Sequence, residues 1–330
     1  MMIAKNGKMS CCKLTIIVPV YQVEDYIRAC VESIFRQGLD DSEFEVILVN
    51  DGTHDNSFQR IADIIEQHAN ISIMEQENQG LSAARNTGLT KAMGDYVLFL
   101  DSDDVLVDNS IKPMMQDLEK QKPDLLVAGF IKLDNLERYE TLPIPKADYR
   151  SYTVTGSELF IKHLNPRECY VWRTLYRRQF LDDNGLRFIH GIYFEDVPFT
   201  TECYLKAKHC IKTNHIFYVY RQRPGSIVSA ISKQKVMDFH QGIARLWDIR
   251  KTMTLSEEEH RKLMDIIFAT FAVETWYITH HKELLAERGD FIKDLKKWVP
   301  DLTFTNGMKQ RCVALMFKLM PSLYLKLESL

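Results

Sequence analysis

Three acidic clusters hold the chemistry that this chain can offer. Asp101-Ser102-Asp103-Asp104 follows the apolar run Tyr96 to Leu100, Asp51-Gly52 follows Val46 to Val49, and Glu195-Asp196 opens a stretch containing Val197, Phe199 and Cys203. Side chains alternate along an extended segment, so Asp101 and Asp103 would project from the same side. Two carboxylates placed that way make a hard-oxygen site for Mg²⁺ or Mn²⁺, which can also grip a ligand's phosphates. The plainer alternative is that Asp104 caps a following helix and its neighbours are merely solvated. Spacing alone leaves those readings even. Asp51 before Gly52 is equally good turn chemistry. Asp196, just before Pro198, suits the first turn of a helix whatever else it does.

Several other chemistries are disfavoured. No G-x-G-x-x-G and no G-x-x-x-x-G-K-[ST] occurs, which speaks against a dinucleotide dehydrogenase and a P-loop NTPase. With 42 Lys plus Arg against 45 Asp plus Glu, the formal charge is −3 and no global basic field exists to hold nucleic acid. Seven cysteines without CxxC or zinc-like spacing point to free thiols in a reducing compartment, so a cytoplasmic protein is expected. Neither a cleavable leader nor a stretch of about 18 apolar residues is visible. At 45% hydrophobic and 26% charged residues, 330 residues can bury the core of one large α/β domain with an extension, or of two domains.

The elements that must position these residues alternate over the first 130. Leu14 to Val20 is a continuous β-branched run, as in a strand covered on both faces. Ile27, Cys30, Val31, Ile34 and Phe35 recur at helical spacing within Glu24 to Gln37, before Gly38. Val46 to Val49 predicts a strand, Phe58 to Ile65 a helix, and Ile71 to Met74 a short strand. Leu81 to Met93 predicts a helix, followed by strands at Tyr96 to Leu100 and Leu125 to Phe130 around a helix at Pro113 to Glu119. This order argues for an α/β fold, a mostly parallel sheet with helices on both faces. Ligands of such sheets bind beyond the carboxyl ends of the strands, where Tyr21, Asp51 and Asp101 to Asp104 stand. Residues 131–160 read as irregular, Leu175 to Asn184 and Val197 to Lys208 as helices, and Ile216 to Tyr220 as a strand.

Four ordered motifs carry a resemblance. They are Val18-Pro19-Val20-Tyr21, Val49-Asn50-Asp51-Gly52-Thr53-His54-Asp55, Asn78-Gln79-Gly80-Leu81-Ser82-Ala83-Ala84-Arg85-Asn86-Thr87-Gly88, and Gly94-Asp95-Tyr96-Val97-Leu98-Phe99-Leu100-Asp101-Ser102-Asp103-Asp104. Together they resemble the nucleotide-binding half of family 2 glycosyltransferases, inverting enzymes of the GT-A fold. Trp172 to Arg178, Phe194 to Phe199 and Tyr220 to Ile227 resemble, more loosely, later segments of members from bacterial polysaccharide, capsule or lipopolysaccharide synthesis.

The resemblance implies roles by position. Asp51 would contact the base of a nucleotide-sugar donor, usually uracil, with Pro19 and Tyr21 lining the base pocket. Arg85 would reach the base or the phosphates, although a plain ion pair with a nearby acid is the alternative. Asp101 would approach the ribose, and Asp103 would hold a divalent metal, Mn²⁺ or Mg²⁺, on the diphosphate. Arg221 and Arg223 would close over the diphosphate. Asp196 would be the general base toward a saccharide or lipid-linked acceptor. Gly80 and Gly88 read as backbone turns. Gln22 stands where the family usually has Asn, Thr53 where it has Ser, and Arg173-Thr174 replaces a Lys-containing pattern. One rival is a catalytically silent nucleotide-sugar-binding scaffold, against which Asp103 and Asp196 speak. A sugar-phosphate nucleotidyltransferase would need a Gly-rich basic loop where Tyr21-Gln22-Val23-Glu24 stands.

The implied organisation is an extension over 1–12, a GT-A domain over 13–230 (nucleotide-sugar half 13–130, acceptor half 131–230) and a helical C-terminal region over 231–330. Within 291–330, seven Lys/Arg face three acids, and Val313, Met316, Phe317 and Met320 fall on one helical face. Such a basic amphipathic helix suits peripheral contact with an anionic membrane. Packing on its own domain, or on a second subunit in a homodimer, is the alternative.

Overall fold

Leu14–Val20 forms β1, and all seven of its residues are buried. The computed structural model describes residues 12–133, 149–222, 232–280, 293, 295, 296 and 307–328. The chain forms two compact units, one of Met1–Gly156, Val171–Gly191 and Lys206–Pro224, the other of Ser157–Tyr170, Ile192–Leu205 and Gly225–Leu330.

The first unit continues through α1 (Ile27–Phe35), β2 (Phe44–Asn50), α2 (Ala62–Gln67), β3 (Ile71–Glu75), α3 (Leu81–Lys91) and β4 (Tyr96–Phe99). After these come β5 (Val105–Leu106), α4 (Ile111–Gln121), β6 (Leu125–Leu133), β7 (Ser151–Val154), β8 (Thr174–Arg177), α5 (Arg178–Asp183) and β9 (Cys210–Arg221). The sheet runs β3-β2-β1-β4-β8-β6-β9-β5, with β7 also on β9. β3, β2, β1 and β4 are parallel neighbours, which is the doubly wound half that the alternating pattern predicts. The other half is mixed: β8 runs antiparallel to β4 and β6, while β6 and β9 are parallel.

Two expectations are corrected here. Thr174–Arg177 is a strand, not the start of a helix, because pairing with β4 and β6 overrides the local pattern, and the helix begins only at Arg178. The irregular stretch after residue 130 contains the end of β6 and all of β7. Asp124 ties this half together. Its carboxylate pairs with Arg177 and accepts the backbone N–H of Lys208 at 2.8 Å and of His209 at 3.2 Å.

Gly88 is not a turn residue. It lies inside α3, where a Cβ would run into the Ile17 side chain of β1. Gly88→Ala should therefore destabilise the protein by roughly 1–3 kcal/mol through overpacking, despite a gain of about 1 kcal/mol in helix propensity. Thermal unfolding checks this, and an unchanged or raised Tm would mean that α3 can move off β1.

The second unit holds α6 (Asp196–Lys206), α7 (Lys233–Thr252), α8 (Glu257–His280), α9 (Met308–Leu319) and α10 (Pro321–Glu328). Ser232 caps α7, its hydroxyl accepting the Lys235 N–H. Phe317 of α9 is fully buried and meets Phe271 of α8 edge-on at 5.2 Å, and Tyr324 of α10 at 5.6 Å. The face expected to be amphipathic thus packs inward at Phe317, whereas Met320, placed on the same face, is 50% exposed. No helix among the described residues is long and apolar enough to cross a membrane.

Candidate active site

β1 delivers the first site residues through a feature that a central strand rarely tolerates. Pairing with β4 ends at Ile17, whose carbonyl accepts the Leu100 N–H, and on the other side the Val20 carbonyl accepts the Asp51 N–H. Backbone groups alternate, so Pro19 turns its nitrogen toward the β4 side after that ladder has stopped, and its missing N–H costs no bond. Tyr21 follows, 42% exposed. Gln22 then takes φ 52°, the left-handed region that Asn enters more readily than Gln, which gives a physical meaning to the departure at this position. Its N–H donates to the Thr53 hydroxyl at 2.8 Å, so Thr serves there as Ser would.

Asp51, 3% exposed at the end of β2, latches the segment before α3. Oδ1 accepts from Gln76 Nε2 at 2.7 Å and the Gln79 N–H at 2.9 Å, and Oδ2 accepts the Gly80 N–H at 2.9 Å. The Asn78 side chain closes the same loop on the Asp51 carbonyl. Gly80 adopts φ 85° with extended ψ, a conformation that needs glycine, so its reading as a turn residue fits. Oδ2 keeps a free lone-pair direction after this latch, since a carboxylate oxygen can accept twice. The partners Gln76, Asn78 and Gln79 were missed as site residues by sequence reasoning. Asn78 and Gln79 open the third motif, and Gln76 stands two residues before it.

The acidic cluster is not extended. The Asp104 N–H donates to the Asp101 carbonyl at 3.0 Å, so a tight turn between β4 and β5, not strand alternation, brings the carboxylates together. Each has a different environment. Asp101 receives Arg85 Nη2 at 2.7 Å, and Arg85 is 1% exposed, with its guanidinium 5.3 Å from the Phe188 ring. The ion-pair alternative for Arg85 is therefore the arrangement present. Asp104 is buried and caps no helix. It accepts the Tyr218 hydroxyl at 2.7 Å and the Arg221 N–H at 2.7 Å. Burial first, then the charges of Asp103 and Asp101, push its pKa far above the usual carboxylate range. Asp103 is half-exposed on the turn.

β9 brings Arg221 to this turn, with its guanidinium 4.5 Å from the Tyr26 ring. Arg223 lies outside the described residues. The Tyr218 hydroxyl also accepts the Asp101 N–H at 3.3 Å, and Trp172 stacks on the Tyr218 ring at 4.1 Å. Tyr218 thus braces the acidic turn, a role that its place in an aromatic strand did not announce. Arg173, where the family pattern departs, is 9% exposed and lies over Phe130 at 5.4 Å. Asn86 exchanges two hydrogen bonds with the Phe188 backbone, and His190 meets Gln79 at 3.0 Å.

The residues fit a hard divalent cation. The charges of Asp103 and Asp101 help to raise Asp104, and a cation on this turn would relieve that repulsion. A cation of this kind needs only one or two carboxylates, with water and phosphate completing its shell.

Asp196 belongs to the other unit, as the first residue of α6. The residue two before it is unusual. Phe194 has φ 62°, a strained conformation for a bulky side chain, and is held there by stacking on Phe239 of α7 at 3.9 Å. The Tyr193 N–H donates to Asp238 of α7 at 3.1 Å. This strained residue stands directly before two carboxylates, of which Glu195 is buried.

The model of glycosyl transferase family 2 matches residues 15–185. The chain belongs to that family. The uncharacterized glycosyltransferase EpsJ of Bacillus subtilis is 36% identical over 230 residues, covering 69% of this chain and 66% of that relative. The poly(ribitol-phosphate) beta-N-acetylglucosaminyltransferase TarS of Staphylococcus aureus is 28% identical over 329 residues, covering 94% of this chain and 52% of its own. The alignments therefore leave a third to a half of these relatives uncovered. The crystal structure of TarS residues 1–349 with UDP-GlcNAc superposes with a TM-score of 0.75 at 21% identity, covering 96% of this chain and 90% of that one. That likeness establishes the GT-A fold for this family 2 chain.

Proposed function

We propose that this protein transfers a sugar from a nucleoside-diphosphate sugar, with uridine as the base, to a hydroxyl of a saccharide or lipid-linked acceptor in surface-polysaccharide synthesis. Family membership supports glycosyl transfer, and the likeness to a protein crystallised with UDP-GlcNAc supports a uridine donor. The observation that carries the reading is the acidic turn Asp101 to Asp104 after β4, on the same sheet as the Asp51 latch at the end of β2, with β1 between the two strands. In this reading Tyr21 and Pro19 flank the base, and Asp51 receives the base N–H through its remaining lone pair. Asp101, fixed by Arg85, accepts from the ribose.

Asp103, with Asp101, would hold a divalent cation on the diphosphate, and that cation when bound stabilises the charge developing on the leaving group. Arg221, fixed through its N–H on Asp104, adds positive charge to the same oxygens. Asp196 accepts the acceptor's hydroxyl proton as the new glycosidic bond forms, on the face opposite the departing diphosphate, so the anomeric centre inverts. A cytoplasmic setting supplies the donor, since nucleotide sugars are cytoplasmic metabolites. The test is release of UDP from a panel of UDP-sugars with oligosaccharide acceptors and Mn²⁺. Turnover with one donor is expected, and absence of UDP release from every donor, or equal release from GDP-sugars, would oppose the reading.

A further inference from the structure

α9 is apolar on two opposite faces. Ala314 and Phe317 are buried, Phe317 against Phe271 of α8 and Tyr324 of α10. At 100° per residue, Met308, Cys312, Leu315 and Leu319 recur four, three and four residues apart, forming a stripe opposite Phe317. That stripe is open: Met308 is 82% exposed, Leu315 50% and Leu319 65%, and Cys312 is an exposed free thiol. Leu323 and Leu327, one turn apart on α10, are 43% and 50% exposed, and Met320 at the junction is 50% exposed. Half of the twelve large apolar residues exposed among the described residues thus fall between Met308 and Leu327. Scattered apolar residues on a surface need no explanation, but a contiguous stripe does.

Its flanks identify the occupant. On α9, Lys309 lies to one side of the stripe and Arg311 and Lys318 to the other, and Lys326 flanks it on α10. All four are exposed, and against them residues 307–328 carry only Glu328, a net charge of +3. We propose that α9 and α10 seat the protein on an anionic phospholipid bilayer, with the leucine stripe inserted among the acyl chains. The cations lie at headgroup depth, where long basic side chains extend to the interface. Pairing of this stripe with the same stripe of a second copy would bring two surfaces of like net charge together, so charge favours lipid over self-association. The stripe is a different face from the one packed on Phe271, which is why the fold can keep α9 docked while the outer face is engaged. This inference does not rest on the donor chemistry, though it would bring a lipid-linked acceptor to the enzyme.

The test uses the full chain and sedimentation with vesicles, one set of phosphatidylcholine and one of equal phosphatidylcholine and phosphatidylglycerol, at low salt and at 0.5 M salt. Binding to the anionic vesicles is expected, weakened at least about tenfold by high salt or by neutral lipid. Leu315→Glu with Leu319→Glu should reduce it at least about tenfold while leaving Tm and donor turnover at wild-type values, because both side chains are exposed. A wild-type protein that ignores anionic vesicles at low salt overturns the proposal. So does a double variant that binds as well as wild type, or a wild-type dimer in ultracentrifugation that the double variant dissolves.

Discussion

Asp196→Asn is expected to leave UDP-sugar affinity unchanged and to slow transfer by roughly 10²- to 10⁴-fold, the range for loss of a general base. The substitution separates the two roles that position 196 could play. Asn is as good as Asp at a helix start, so the structural contribution of a polar residue at the first turn of α6 is kept. Only the negative charge is lost, worth about 0.3–1 kcal/mol against the helix dipole. Tm should therefore fall by no more than a few degrees while proton transfer fails. A base acts on the acceptor only in the transition state, so kcat should fall and donor KM should not rise. Glu195→Gln is the control. Glu195 is 4% exposed, so its loss should appear mainly in stability. Wild-type turnover in Asp196→Asn combined with a dead Glu195→Gln would move the base by one residue, and full activity in both would place it elsewhere. The strained Phe194 ties either outcome to the same turn.

Asp103→Ala should abolish the response of turnover to Mn²⁺ or Mg²⁺ and lower kcat/KM by roughly 10²- to 10⁴-fold. Lewis-acid stabilisation of a leaving diphosphate supplies several kcal/mol, and each 1.4 kcal/mol or so is a factor of ten. The folding consequence has a different sign from that of a typical buried substitution. Asp103 is half-exposed, and its charge is one of those that push Asp104 upward, so removing it should leave Tm unchanged or slightly higher. A metal titration of rate and a thermal melt check both halves. A loss of many degrees would make Asp103 a structural residue, and an unaltered metal response would put the cation elsewhere.

What could be read from the sequence follows the range of the forces involved. β1, β2 and β4 were legible because a strand covered on both faces must be a continuous β-branched or apolar run, and Leu14–Val20, Phe44–Asn50 and Tyr96–Phe99 are such runs. Asp51 and Asp101 to Asp104 were legible as candidates because they are acidic residues at the exits of those strands, and Asp51 and Asp104 prove to be buried and hydrogen-bonded there. β8 was not, because Thr174–Arg177 becomes a strand only through pairing with β4 and β6, both more than forty residues earlier in the chain. The geometry of the acidic turn was misjudged for the same reason. Alternation predicts a shared face, but the hydrogen bond from Asp104 to Asp101 makes a turn, and Tyr218, far along the chain, fixes it. α9 shows the limit of periodicity most plainly. One helix can be amphipathic toward two partners, and the sequence does not say which face the protein itself covers.

The central claim, a uridine diphosphate site built on Asp51 and the acidic turn, is tested most directly by calorimetric titration of the full chain with UDP. The titration is run first with Mn²⁺ and again after EDTA. The expected result is saturable one-to-one binding with the metal, weakened at least about tenfold without it and weakened again by Asp51→Ala, since a site of this kind holds the diphosphate largely through the cation. No heat of binding in either condition, or equal affinity with and without EDTA and with Asp51→Ala, would contradict it.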